Sequence, residues 1–484
     1  MSAETRHNLI DGEWTEAATG ATFEVRNPAA TGEVIGRCQQ SGVEDAERAV
    51  AAAAAASDAW SGTPAPERGA ILRQTSNLLA EREAELAELL TREEGKTLDE
   101  ATPEVGRAIE IFAYYAEKAR DLGGRVKAAS SVDSTVSTRR EPLGVAGLIT
   151  PWNYPIAIPA WKIAPALATG NTVVFKPASQ APLVAEAVIE CLDEAGAPDG
   201  VVNFVTGPGS DVGNTIVTHD AVDAVSFTGS AAVGSTVYEM ATEKQKRVQC
   251  EMGGKNPTIV TDSADVDEAV EIVGAGAFGV TGQACTACSR AIVTTDRHDE
   301  FLEGIVEYAE SLAVGDGLEG AEMGPQVNQS ELDGTLEYVE LAQEEGATLE
   351  TGGGRPTEPR HEEGYFVEPT VFSGVTPEMR LAQEEVFGPV LAVMEVEDFD
   401  EALAVANDVE YGLSASIVTD DLTQANRFVD EIEAGVAKVN EKTTGLELHV
   451  PFGGYKQSST DTYREQGDAA LDFYTSTKTV YTNY

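Results

Sequence analysis

Cys285 stands in Gly282-Gln283-Ala284-Cys285-Thr286, 34 positions after the glutamate of Glu251-Met252-Gly253-Gly254-Lys255. A thiol and a carboxylate are the two groups covalent acyl transfer needs, one to form a thioester and one to break it. Thr150-Pro151-Trp152-Asn153-Tyr154-Pro155 offers an amide side chain in a rigid turn, and Val173-Val174-Phe175-Lys176-Pro177 reads as a buried strand ending in a cation. An unpaired ammonium at such a strand end is costly, so Lys176 is expected to reach water or to meet an anion or hydroxyl. Cys285-Thr286-Ala287-Cys288 is also a CxxC pair, which admits a redox or zinc reading. No second metal pair accompanies it, and none of the five histidines (His7, His219, His298, His361, His449) lies at ligand spacing to a cysteine, so no metal is expected. Cys288 is able to trap Cys285 as a disulfide under oxidation. Cys250, beside Glu251, reads as a small buried residue.

The elements that must position these groups alternate between helix and strand, which argues an α/β fold. Apolar residues at Ile71, Leu72, Leu78, Leu79, Leu86, Leu89 and Leu90 predict one surface-packed helix over 71–90. Strand-sized runs follow at 144–149, 172–175, 201–205 and 222–227, separated by helical stretches such as 182–195, the pattern of βαβ units in a parallel sheet. A second alternating region begins after Gly254, with a strand at 257–260, a helix at 265–278 and a strand at 290–294. A domain boundary near Glu251, with Cys285 beyond it, predicts a reacting site in an interdomain cleft.

At 484 residues the chain exceeds what one hydrophobic core organises, so two or three domains are expected. Its 82 acidic and 33 basic residues leave a formal charge of −49, which repels nucleic acid and anionic membrane. The basic residues are 12 Lys and 21 Arg, and the acidic ones are spread along the chain, marking an acidic surface instead of a tail. Molar salt shortens the Debye length to roughly 3 Å and removes most of the self-repulsion, so a salt-rich cytoplasm is expected. An acidic mesophilic protein is the alternative. Five cysteines without a secretory signal argue for a reducing cytoplasm, and no apolar run is long enough to span a bilayer.

Two glycine-containing segments are cofactor candidates. Gly207-Pro208-Gly209-Ser210-Asp211-Val212-Gly213 carries one residue too many for a GxGxxG fingerprint, so a purely structural turn stays open. Phe227-Thr228-Gly229-Ser230 opens a predicted helix over 231–240, where its amides could face a pyrophosphate. Ser230 is equally a plain N-cap.

Together the Cys285, Glu251, Asn153 and Lys176 segments resemble the aldehyde dehydrogenase superfamily. The resemblance runs from Leu9-Ile10-Asp11-Gly12-Glu13-Trp14 to Thr477-Lys478-Thr479-Val480-Tyr481. It implies a Rossmann-type NAD(P)-binding domain over 1–122 and 141–250, an α/β catalytic domain over 251–470, and a small β oligomerisation element over 123–140 and 471–484. A homo-oligomer is implied, in the form of a tetramer built as a dimer of dimers. Implied cofactor contacts are Ile149, Thr150, Pro151 and Trp152, Lys176 on the adenosine ribose, Gly209, Gly213, Phe227, Thr228, Gly229 and Ser230, and Met252 and Gly253. Glu385 and Phe387 of Glu384-Glu385-Val386-Phe387-Gly388-Pro389 are implied at the nicotinamide ribose and ring. In the family a glutamate three residues after the lysine binds a 2′-hydroxyl and repels a 2′-phosphate. Ser179 at that position leaves room for phosphate, which favours NADP and still admits NAD.

By this resemblance Cys285 attacks an aldehyde carbon, and the Asn153 amide and the Cys285 backbone N–H meet the oxyanion. Hydride then leaves for the nicotinamide, and Glu251 activates the water that hydrolyses the thioester. Glu251 separates this type from acylating relatives that pass the thioester to coenzyme A. Lys162 is either a partner of Glu251 or a lysine reaching water. The implied tunnel lining is Tyr154, Ile158, Trp161, Ala284, Thr286, Leu446, His449 and Phe452. Succinate-semialdehyde enzymes often carry an arginine where Trp161 stands. The stretches 282–290, 449–459 and 462–467 resemble α-ketoglutarate semialdehyde dehydrogenases, which implies oxidation of 2,5-dioxopentanoate to 2-oxoglutarate at the end of oxidative pentose breakdown. Succinate semialdehyde, betaine aldehyde or a broad aldehyde range are the alternatives, and a catalytically silent scaffold is the reading from a different class.

Overall fold

The computed structural model describes residues 4–484. Its first sheet has seven strands in the order Arg247–Glu251, Ala224–Thr228, Val145–Ile149, Thr172–Lys176, Val202–Phe204, Asn8–Ile10 and Glu13–Thr15. The first five run parallel, joined by helices including Ala157–Thr169, Leu183–Glu194 and Ala231–Glu243. Val145–Ile149, Thr172–Lys176 and Ala224–Thr228 are buried throughout, as expected of parallel strands covered on both faces. Strand order reverses between Val145–Ile149 and Ala224–Thr228, which pair with Phe227 opposite Ile149. That reversal leaves a crevice beyond the carboxyl ends of the two strands, where ligands of open α/β sheets bind.

A second seven-stranded sheet follows, in the order Thr348–Thr351, Thr370–Ser373, Val390–Val396, Cys288–Thr294, Asn256–Val260, Ser414–Val418 and Val436–Val439. Glu251 ends the edge strand of the first sheet, and five residues later Asn256 begins a central strand of the second. Each sheet has apolar cores on its faces. The late helix Gly467–Phe473 returns to the first, burying Ala470, Leu471 and Phe473 there. A third sheet pairs Ser134–Pro142 with Thr475–Asn483 on one side and Val126–Lys127 on the other.

The strands predicted from 144 to 294 occur within one or two residues of their expected bounds. The helix predicted over 71–90 does not. It is two helices, Ala65–Glu81 and Glu83–Glu94, broken at Arg82. Both pack on helix Leu98–Lys118, and the break lets Leu72 and Leu79 before it and Leu86 and Leu90 after it all reach the core. Arg82 itself reaches Glu194 of a neighbouring helix. No helix among the described residues is long and apolar enough to cross a membrane.

Candidate active site

Cys285 sits on a loop held in an unfavourable backbone conformation. Val280 and Thr281 are left-handed at φ 53° and 56°, a region β-branched residues avoid. Gly282 follows at φ +67°, where a Cβ would lie 2.2 Å from the Gly388 carbonyl oxygen. Surrounding groups hold this loop down: Val280 N–H donates to Glu100 at 2.6 Å and Thr281 Oγ1 to the Gly324 carbonyl at 3.1 Å. Gln283 Oε1 accepts from Val327 N–H at 2.9 Å. Asn256 Nδ2 donates to the carbonyls of both Cys285 and Ala287, each at 2.8 Å. Backbone strain of this kind persists only where the surroundings over-determine it, and it clusters at functional sites.

Asn153 is brought to this loop. Its Nδ2 donates to the Gln283 carbonyl at 2.9 Å, and its own carbonyl accepts from Lys96 Nζ at 2.6 Å. Lys96 is fully enclosed and also pairs with Glu104 at 2.6 Å. The other oxygen of Glu104 accepts the N–H groups of Ile156 and Ala157, which open the helix Ala157–Thr169. The Asn153 turn is thus clamped at both ends by one buried ion pair.

Glu251 is 1% exposed, with Gly454 N–H donating to Oε2 at 3.0 Å and Ser459 Oγ to Oε1 at 3.1 Å. Burial, reinforced by the nearby Glu465 carboxylate, raises its pKa well above the usual range against the pull of those donors and of Arg464. Lys162 does not pair with Glu251. It donates to Ser226 Oγ at 2.7 Å and forms a buried ion pair with Glu465, whose second oxygen has no partner among the described residues. The thiol of Cys285 is pushed up to about 12, chiefly by burial and then by Glu385, Glu251 and Glu465. An unassisted cysteine ionises far more readily; lost hydration first, and then Glu385, Glu251 and Glu465, disfavour the thiolate of this half-buried residue.

Cys285, Thr286, Glu251, Tyr154, Trp161 and Phe452 line one cavity of about 640 Å³, together with Ile158 and Leu446. Ala284 and His449, expected in that lining, are not part of it: Ala284 is buried, and His449 faces outward beside Glu447 at 3.7 Å. Helix Leu98–Lys118 supplies a wall that the sequence reading assigned to nothing, including Glu100, Glu104 and Arg107. Cys288 lies on the second sheet with its sulphur 3.2 Å from Thr258 Oγ1.

The switch-point crevice gathers most of the residues expected at a cofactor. Lys176, 5% exposed, donates among the described residues only to the Pro177 carbonyl, at 2.7 Å, and burial lowers its pKa to about 8. A Cβ on Gly213 would lie 3.7 Å from Lys176 Cδ and 3.8 Å from Ile149 Cδ1, which puts the three together. Ser179 is exposed nearby, its hydroxyl 3.4 Å from the Gly207 carbonyl. Gly209 and Ser230 are exposed; Ser230 is the N-cap residue of its helix but makes no side-chain cap bond. The hydroxyls of Thr150 and Thr228 are buried without partners among the described residues. Phe227 and Met252 underlie the turn, where Cβ atoms on Gly229 and Gly234 would sit 2.6 and 2.4 Å from them. Glu385 accepts from Gly254 N–H at 2.9 Å, is raised to about 7 by burial, and lies where a Cβ on Gly253 would come within 2.0 Å. Phe387, left-handed at φ 57°, meets Trp152 edge to face at 5.4 Å. Unpartnered buried hydroxyls, an unpaired ammonium and glycines whose Cβ would obstruct the wall fit a polyhydroxylated, phosphorylated cofactor.

A thiol, a buried carboxylate and an amide in one cleft, beside a dinucleotide-type crevice, define a cysteine-dependent dehydrogenase. The chain belongs to the aldehyde dehydrogenase family, whose profile matches residues 14–480. It is 63% identical to the alpha-ketoglutarate semialdehyde dehydrogenase of Haloferax volcanii over 99% of both chains. It is 46% identical to the 2,5-dioxopentanoate dehydrogenase of Saccharolobus solfataricus, covering 94% of this chain and 95% of that one. Among solved structures, the betaine aldehyde dehydrogenase of Staphylococcus aureus in complex with NAD+ superimposes with a TM-score of 0.96 at 37% identity, over 99% of this chain and 94% of that one. The protein is therefore an NAD(P)-dependent aldehyde dehydrogenase.

Proposed function

We propose that the protein oxidises 2,5-dioxopentanoate, the semialdehyde of α-ketoglutarate, to 2-oxoglutarate, with NADP+ preferred. The observation that carries the substrate is the likeness, over nearly the whole chain, to relatives named for that aldehyde at 63% and 46% identity, against 40% for the betaine aldehyde dehydrogenase of Bacillus subtilis. The preference for NADP+ rests on Ser179, small and uncharged beside an unpaired Lys176, where a carboxylate would repel a 2′-phosphate.

Cys285 gives up its proton to water in the cleft and its sulphur bonds to the aldehyde carbon, which leaves Glu251 free to act as the later base. One N–H of Asn153 holds the Gln283 carbonyl; the other, with the Cys285 backbone N–H, receives the developing oxyanion. Bound NAD(P)+ supplies the hydride acceptor, held by Lys176 and Glu385 at its two riboses. Glu251 then takes a proton from the water that attacks the thioester, releasing carboxylate and restoring the thiol. Its raised pKa makes it a stronger base than an ordinary carboxylate once it is ionised. Lys162 acts at one remove, fixing the Glu465 carboxylate whose charge raises Glu251.

The same reading divides the chain into a cofactor domain (1–122, 141–250), a catalytic domain (251–470) and an oligomerisation element (123–140, 471–484). It places a homotetramer in a salt-rich cytoplasm. The exposed edge strand Thr475–Asn483, with Tyr481 73% and Val126 82% exposed on its sheet, supports assembly through that element.

The test is steady-state NADPH and NADH formation in about molar KCl with 2,5-dioxopentanoate, succinate semialdehyde, betaine aldehyde and propanal, with Cys285→Ala as blank. The expected result is highest kcat/KM for 2,5-dioxopentanoate with NADP+ and a silent mutant. Preference for another aldehyde overturns the substrate, and preference for NAD+ overturns the cofactor assignment.

A further inference from the structure

The wall that helix Leu98–Lys118 gives to the Cys285 cavity is rich in charge, but most of that charge is committed. Glu104 is taken by Lys96 and two amides. Glu100 accepts from Thr97 N–H and Val280 N–H, and Glu251 from Gly454 and Ser459. Asp99 and Glu110 are exposed to water.

Arg107 is different. It lines the cavity half-buried, one turn beyond Glu104, and makes no ion pair or hydrogen bond among the described residues. Glu110 and Glu447 act on it only through space, and burial lowers its pKa. The other cation of the lining, Lys442, is exposed. Trp161, Ile158 and Phe452 line the same cavity as Arg107 and the thiol, and supply apolar surface for a carbon chain. A partly desolvated guanidinium without a partner is costly, and an anion docking there removes that cost.

We infer that Arg107 is the specificity-determining residue that pairs with the substrate carboxylate remote from the aldehyde, an assignment resting on the reading of the substrate as a carboxylated semialdehyde. Its planar donor fork matches a carboxylate in two parallel hydrogen bonds, and the adjacent keto oxygen of a 2-oxo acid lies in reach of the same plane. Half-burial shields the pair from the salt that screens exposed charges.

The experiment measures kcat/KM for 2,5-dioxopentanoate and for succinate semialdehyde, each divided by kcat/KM for propanal, in the wild type, Arg107→Leu, Arg107→Lys and Lys442→Met. The propanal value from the same preparation cancels any loss of folded enzyme. For Arg107→Leu both ratios are expected to fall about 30-fold, through KM more than kcat, as loss of a charge-assisted contact made equally in ground and transition states would give. Arg107→Lys should recover part of that loss and Lys442→Met should leave the ratios within about threefold. Ratios unmoved by Arg107→Leu, or moved only by Lys442→Met, overturn the assignment. Which aldehyde the wild type prefers is read independently of these ratios, so failure of the substrate reading and failure of Arg107 are distinguishable.

Discussion

The two titrating side chains of the reaction, Glu251 and Cys285, are held away from their ordinary acid–base behaviour by the same causes, loss of hydration in the cleft and the carboxyl groups around it. Burial and Glu465 raise Glu251, and burial with three carboxylates pushes Cys285 up to about 12. Both groups work deprotonated. Since both pKa values are raised, the active ionisation states are populated as pH increases, so kcat/KM for the aldehyde should climb from pH 6 towards pH 9. A flat or falling profile would contradict this assignment. Glu251→Gln separates the two half-reactions: acylation should give a burst of up to one NADPH per subunit, followed by turnover reduced about 10²–10⁴-fold because the thioester lacks its base. Lys176 predicts the opposite slope for cofactor. With its pKa lowered to about 8, it loses charge above that pH, so kcat/KM for NADP+ should fall there. Ser179→Glu should lower NADP+ use by about tenfold or more, each factor of ten costing about 1.4 kcal/mol, with NAD+ use retained.

At the scale of elements, positioning depends on contacts between segments far apart in sequence. Lys96, Glu104 and the Asn153 turn come from a loop, a helix and a strand end, yet one enclosed ion pair joins them. Breaking a buried pair from one side leaves an uncompensated charge and costs about 3–5 kcal/mol. Lys96→Met and Glu104→Gln should each be strongly destabilising, and the double mutant less so than their sum, by about 0.5–3 kcal/mol. Chemical denaturation of the four proteins measures this coupling; strict additivity would mean that the pair does not act as a unit. This network also shows what the sequence could and could not disclose. Cys285, Glu251 and Lys176 were legible because each sits in a run of glycines or apolar residues that constrains its neighbours. Strands of the parallel sheets were legible because burial on both faces makes them continuously apolar. Glu465, Asn256 and Arg107 carried no such signal, since a glutamate, an asparagine or a helical arginine is ordinary until the fold shows what it faces. Lys162 was legible as either a partner of Glu251 or a lysine reaching water, and its actual partner was not legible: Glu465 lies 303 positions away. The break at Arg82 was hidden because apolar spacing on both sides continues at helical intervals.

For the molecule as a whole, a charge of −49 sets the conditions under which any of these contacts can be measured. Surface ion pairs such as Arg427 with Asp400 and Glu431 exist, but exposed pairs of this kind contribute about 0–1 kcal/mol each and cannot offset repulsion among 82 acidic residues. Raising salt from about 0.1 to 1 M shortens the Debye length from roughly 10 to 3 Å, so repulsion between neighbouring surface carboxylates fades while buried pairs such as Lys96 with Glu104 are little affected. The melting temperature should therefore rise steeply with KCl up to about molar and then flatten. Sucrose separates the causes: it strengthens burial without screening charge, so it should recover only a small part of the gain. Equal stabilisation by sucrose and KCl would assign the salt requirement to the cores instead. The three-stranded sheet extends the argument to assembly, because repulsion between subunits of this charge opposes contact at low salt. Sedimentation across the same KCl series should show larger assemblies at high salt, and removal of residues 475–484 should abolish that growth while leaving the Cys285 cleft, whose lining contains no residue from that strand, intact.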